Sequence, residues 1–234
     1  MRHHERRAAQ TPISSDDVLQ QPGRRENDAR LNRAQRRLQR AGVERFLFFS
    51  AMGALPHSPS RFFRAKALAA RYVEESDLDS TVFAPSIIYS PDDPWVTLMR
   101  RMTWLPAVPI SGSGRAVYQP IWANDVASCV MAVLGGAGNG AGPIELAGPE
   151  TLTYDDMARA ILHARHRRRR LLHVPLPVVR SGLRAVERVS GQAAFATWEE
   201  AQLMELSMAT RRGAAGAEAL GVSPLPMSAV LGGG

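Results

Sequence analysis

The chain has 234 residues, 45% of them hydrophobic and 22% charged, enough to bury the core of one large domain and too apolar for wholesale disorder. A net charge of +7 invites nucleic acid as a partner, but 11 of the 29 basic residues precede residue 46, and no basic stretch is interleaved with aromatics that could stack on bases, so nucleic acid is set aside. The single cysteine, Cys129, excludes an internal disulfide; no apolar run of about 18 residues marks a membrane span; and the opening segment lacks the apolar core of a secretory signal.

Residues 1–26 are rich in Arg, Gln, Asp and Pro, show no periodicity, and read as a disordered or non-native start. Asn27 is placed to cap a helix over 28–41, with Leu31, Ala34, Leu38 and Ala41 on one face and Gly42 closing it. The continuous run Arg45-Phe46-Leu47-Phe48-Phe49-Ser50 reads as a strand enclosed on both faces, as in a parallel sheet. Ser60 to Glu75 reads as a helix with Phe63, Ala67, Ala70 and Val73 inward, and 80–84 as a second buried strand stopped by Pro85. Helix and strand alternating in this way imply right-handed crossovers and an α/β fold, a parallel sheet flanked by helices.

Further along, 94–102 reads as a helix, 108–110 as a short strand, 111–114 as a turn, and 116–120 as extended chain. A helix over 124–134 and a strand over 143–147 follow. Thr153 then opens a helix to about His163, with Asp155 and Asp156 favourable in its first turn. A strand over 171–174, helices over 178–189 and 198–206, and a frayed glycine tail complete the chain.

Lysine occurs once among the 29 basic residues, at Lys66, on the helix between the two apolar strands. Where a chain so biased toward arginine keeps one lysine, an ammonium rather than a guanidinium is the expected requirement.

Five stretches in order carry a resemblance: 42–54, Ser60 to Lys66, Ala84-Pro85-Ser86-Ile87-Ile88-Tyr89, 119–127, and Glu145-Leu146-Ala147-Gly148-Pro149-Glu150. Together they resemble the atypical extended short-chain dehydrogenase/reductase family, the NAD-dependent epimerase/dehydratase-like proteins. Within it they are most similar to the branch of the complex I nucleotide-binding accessory subunit. The resemblance implies a partial Rossmann-like NAD(P)-binding region over 27–110 and a smaller substrate-like region over 111–234, interleaved with the sheet. It implies that Lys66 holds the nicotinamide ribose, that Ser50 and Ala51 meet the cofactor at a strand end, and that Pro85, Ser86, Ile87 and Ile88 lie against the nicotinamide amide. It also implies that about the first hundred residues of a full-length relative, roughly four strands with their crossovers, have no counterpart here.

The family places a tyrosine four residues before its lysine, where an adjacent ammonium favours phenolate and so proton transfer. Here that position is Phe62, which has no hydroxyl, and no catalytic residue is assigned. A dinucleotide site also wants a Gly-rich turn between a strand and a helix. Nothing before residue 42 offers one, and the glycines of 135–142 follow a helix and precede a strand, the wrong context. NAD or NADP is the implied cofactor, with the pyrophosphate grip missing. No metal is expected, since His3, His4, His57, His163, His166 and His173 are scattered without partners at useful spacing.

The resemblance thus implies a dinucleotide-binding accessory or assembly factor of the respiratory NADH:quinone oxidoreductase, cytoplasmic and peripheral at the inner membrane. Whether catalysis survives is left open. A reductase or epimerase of a small or isoprenoid substrate is the second reading, and would need Tyr89 or Tyr118 as a substitute proton donor. A third makes the arginines of 165–170 an electrostatic patch for acidic lipid or an acidic subunit. Trp104 and Trp122 are candidates to line a pocket for a quinone-like substrate.

Overall fold

The computed structural model describes residues 42–138, 142–179 and 204–232, with isolated positions 33, 37, 40 and 181 besides. The chain divides into two units, Met1–Val43 and Glu44–Gly234. The elements below belong to the second. The helix expected over 28–41 and most of those expected over 178–189 and 198–206 lie outside the described residues.

Strand β1 (Phe46–Phe49) leads through helix α1 (Arg61–Glu74) to β2 (Ser80–Pro85), and the two strands pair in parallel, Phe46 opposite Ser80 and Phe49 opposite Phe83. Strand β7 (Ile144–Leu146) pairs in parallel with the far side of β2, giving the order β1-β2-β7. The α/β expectation holds. One detail differs. The sequence reads β1 as enclosed on both faces, yet its residues are only half-buried, because among the described residues β1 is an edge strand, paired with β2 alone. The central β2 is the deeply buried one, with Phe83 fully enclosed.

Strand alternation divides the sheet into two faces. Leu47, Phe49 and Phe83 pack with Val126, Cys129 and Val133 of helix α3 (Ala123–Leu134). Phe48, the residue between Leu47 and Phe49, faces α1, where it meets Lys66.

A second core lies around helices α2 (Pro94–Met102) and α4 (Tyr154–Ala164), with Val96, Met99, Met157 and Ile161 buried together. Both helices start where local chemistry dictates. Asp93 caps α2, its carboxylate accepting from the Val96 amide at 2.8 Å, with Pro94 at the first helical position. Thr153 and Asp156 form a reciprocal capping box at α4.

Strands β4 (Ala107–Ser111) and β9 (Arg170–Val174) form a parallel pair against this core, while β3 (Ile88–Tyr89) pairs with β6 (Ile121–Trp122) and β5 (Val117–Tyr118) with β8 (Leu152–Thr153). Short helices α5 (Ala215–Glu218) and α6 (Met227–Gly232) close the chain. The frayed tail expected near Gly232 is instead a helix as far as that residue, because Met227 and Leu231 are buried in the second core. The helix expected to run to Leu206 does not reach it, since residues 204–206 form a turn.

Candidate functional site at the strand carboxyl ends

Parallel strands all deliver their carboxyl ends to one edge of a sheet, and the loops leaving β1 and β2 meet there. The Ser50 amide donates to the Phe83 carbonyl at 2.7 Å, and the Met52 amide to the Pro85 carbonyl at 2.8 Å. These bonds carry the parallel ladder past the last strand residue and bury Ser50, Ala51, Ala84 and Pro85 side by side.

Lys66 reaches this edge from α1. Its ammonium donates to the Phe49 carbonyl at 2.7 Å and lies 5.4 Å from the ring centroid of Phe48 and 5.6 Å from that of Phe62. A cation between two π faces is attracted by their quadrupoles, which offsets part of the cost of leaving water. Burial nonetheless lowers the Lys66 pKa from its ordinary value. The Ser50 hydroxyl contacts the Lys66 carbonyl at 3.5 Å, tying the strand end to the helix. Phe62 contributes a ring and no proton.

Ile88 and Ser86 stand apart from that group. The Ser86 hydroxyl donates to the Met208 carbonyl at 2.5 Å and accepts from the Gln119 amide at 3.0 Å, and its own amide donates to the Leu146 carbonyl at 2.8 Å. Its side chain is therefore spent on protein bonds. Ile87 packs into the second core. Ile88 is 40% exposed and, with Phe49, Ala123, Ala127, Val130 and Met131, lines an open apolar groove on the α3 face. Trp104 and Trp122 do not line that groove.

The Gln119 side-chain carboxamide was not singled out in the sequence as more than part of a matched stretch. It donates to Thr151 and to the Thr210 carbonyl, both at 3.1 Å, and accepts from the Thr210 amide at 2.8 Å. Nearby Gly148 has its α-carbon so close to Pro120 that an added Cβ would lie 1.8 Å from the Pro120 carbonyl oxygen. These two stretches hold the scaffold together. Their partners are far away in sequence, so no local signal could have revealed this.

Neither substitute proton donor is open to the site. Tyr89 and Tyr118 are almost wholly buried, and burial raises both phenol pKa values far above the ordinary one. The Tyr118 hydroxyl donates to the Met204 carbonyl at 2.8 Å, and that of Tyr89 finds no partner among the described residues.

The polar side chains gathered at this edge are the Lys66 ammonium and the Ser50 hydroxyl. The turn after β1 has one glycine, Gly53, and among the described residues no Gly-rich turn joins a strand to a helix. Gly138 of the Gly-rich stretch has φ 79°, and an added Cβ would lie 3.0 Å from Leu220 and 3.3 Å from Ile144 and Val133. That glycine serves packing. Among the described residues no three His, Cys, Asp or Glu side chains cluster to hold a metal.

The backbone superposes on known enzymes. A UDP-glucose 4-epimerase from Thermotoga maritima matches with a TM-score of 0.63 at 16% identity, covering 94% of this chain and 72% of the enzyme. The NADPH-dependent quinone oxidoreductase of Escherichia coli, solved with NADPH, matches with a TM-score of 0.64 at 12% identity, covering 93% and 79%. The chain shares the fold of these two enzymes. In sequence the chain is similar to NADH dehydrogenase [ubiquinone] 1 alpha subcomplex subunit 9, mitochondrial. Identity is 29% over 145 residues with the Arabidopsis thaliana protein (60% of this chain, 35% of the relative) and 25% over 191 residues with that of Rattus norvegicus (80% and 50%). The resemblance read from the five stretches therefore holds. The chain spans half or less of the length of these curated relatives. No protein-family model matches it.

Proposed function

We propose that the protein is an NAD(P)(H)-binding, short-chain-dehydrogenase-like accessory or assembly factor of the respiratory NADH:quinone oxidoreductase that works without tyrosine-driven catalysis. The observation that carries the reading is Lys66. Its ammonium is anchored on the Phe49 carbonyl, and Phe62 takes the place that a proton-relaying phenol would need. An ammonium at a strand carboxyl end suits vicinal ribose hydroxyls, because with one donor on the Phe49 carbonyl it keeps two more, and each can serve an uncharged oxygen. Ser50, Ala51 and Pro85 would line the same end of the dinucleotide.

Support for the respiratory assignment is the similarity to complex I subunits in plants and mammals. A location peripheral to a membrane agrees with it. Among the described residues no helix is long and apolar enough to cross a membrane.

Titration calorimetry of NADH and NADPH into the purified protein tests the dinucleotide half. The expected result is binding that weakens at least about tenfold in Lys66→Met, the size of one lost charge-assisted hydrogen bond. No heat with either dinucleotide overturns it. Sedimentation of native respiratory complexes tests the other half, and the protein should travel with the NADH:quinone oxidoreductase peak. A protein found only in free fractions throughout biogenesis removes the accessory role.

A further inference from the structure

The arginine run read from the sequence as a turn has a particular setting in the fold. It links α4 to β9, and His166 at φ 51° reverses the chain there. The Arg167 guanidinium lies 4.9 Å from the ring centroid of Trp104, and the Arg169 Nε donates to the Thr103 carbonyl at 3.1 Å. Those two contacts bring the segment 103–106 beside the turn. Trp104 is 67% exposed, and Leu105 and Pro106 are exposed with it.

The apolar surface continues onto the β4–β9 pair. In a parallel ladder, opposed residues share a face. Val108 and Leu171 are opposed and pack toward the core, so Pro109 and Leu172, opposed one step along, face away from it. Leu172 is 58% exposed. Around this apolar strip stand Arg101, Arg165, Arg167, Arg168 and Arg170, all exposed. The segments 94–106 and 163–174 contain no aspartate or glutamate. Among the described residues none of these arginines lies within ion-pair distance of a carboxylate.

We propose that this surface, Trp104, Leu105 and Leu172 framed by the arginines of 101 and 165–170, docks the protein on an anionic lipid bilayer. Charge sets the sign of the partner, since five exposed guanidinium groups with no carboxylate in ion-pair reach among the described residues, the one nearby acid Asp155 being held by His173 at 2.9 Å, call for a dense anionic plane. The exposed indole and leucines narrow it to lipid. A tryptophan prefers the headgroup level, where its ring is apolar and its N–H stays wet, and adjacent leucines enter the acyl boundary. A single aromatic provides no stacking ladder for nucleic acid.

The proposal rests on the peripheral placement in the reading above. Its test contains no nucleotide, so its failure leaves dinucleotide binding untouched. The experiment is co-sedimentation of the purified protein with vesicles of phosphatidylcholine alone and of phosphatidylcholine with 30% phosphatidylglycerol. Binding is expected only to the anionic vesicles and should fall steeply as salt is raised. Arg167→Ala with Arg168→Ala should weaken it about thirtyfold, two charges' worth of surface attraction. The intrinsic fluorescence should shift to the blue on binding in the parent protein and not in Trp104→Phe. Thermal midpoints of the variants, whose altered side chains are exposed, should match the parent and so exclude misfolding. Equal binding to neutral vesicles, or an unchanged affinity in the double arginine variant, overturns the proposal. So does binding to polyglutamate with none to anionic vesicles, which would make the partner an acidic protein.

Discussion

Ser86→Ala separates a scaffold role from a ligand role at the loop expected to face the cofactor. The Ser86 hydroxyl bridges the Gln119 amide and the Met208 carbonyl, two groups that local secondary structure does not satisfy. Alanine leaves both without that bond. The Met208 carbonyl is only partly buried and recovers a water, at a cost near that of one exchanged hydrogen bond, about 0.5–1 kcal/mol. The Gln119 amide is buried, and orphaning it costs about 1–3 kcal/mol. The sum is about 1.5–4 kcal/mol. With a urea slope of about 2–3 kcal/mol/M, suited to a chain of this size, the unfolding midpoint should drop by about 1 M at unchanged slope. Equilibrium urea unfolding followed by far-ultraviolet circular dichroism measures it. A midpoint that moves by less than about 0.2 M would refute the bridge.

Three further outcomes follow from the same kind of accounting. Tyr89→Phe removes a buried hydroxyl that has no partner among the described residues, so stability should hold or rise by about 1 kcal/mol; a clear loss on thermal melting would show a missed bond. At the start of α4 the Thr153 hydroxyl, with help from Arg159, holds the Asp156 carboxyl below the usual carboxylate range. That contribution is present above about pH 4, the unfolded value, and is lost as pH falls through the lower folded one. The stability gap between the parent and Asp156→Asn should accordingly be full at pH 5 and close toward pH 2 in a melting series, and a gap that does not narrow would contradict the capping box. Cys129 is fully buried, and burial pushes its thiol up to about 11, so a thiol reagent should label it only on unfolding; rapid labelling of the native protein would show that α3 opens.

What the sequence disclosed depended on how local the cause was. The strands at 46–49 and 80–85 are unbroken apolar runs, and the helix at Thr153 announces itself through the acid three residues on. Lys66 stood out by rarity, and its helix between two strands aims it at their carboxyl ends. Ser86 was legible as part of a loop but not as a clasp, since Met208 lies 122 residues away. The two-residue pairing of Ile88-Tyr89 with Ile121-Trp122 is too short to leave a periodic signal. The half-exposure of β1 could not be read either, because an apolar run looks the same whether its next neighbour is present or not. Trp104 could be noted as a tryptophan, whereas its position over Arg167 exists only after β4 and β9 align.

Phe49 belongs to two surfaces at once. Its carbonyl receives the Lys66 ammonium, and its ring forms one wall of the groove beside α3. Replacing its side chain therefore alters the groove and leaves the acceptor for the ammonium in place, since that acceptor is backbone.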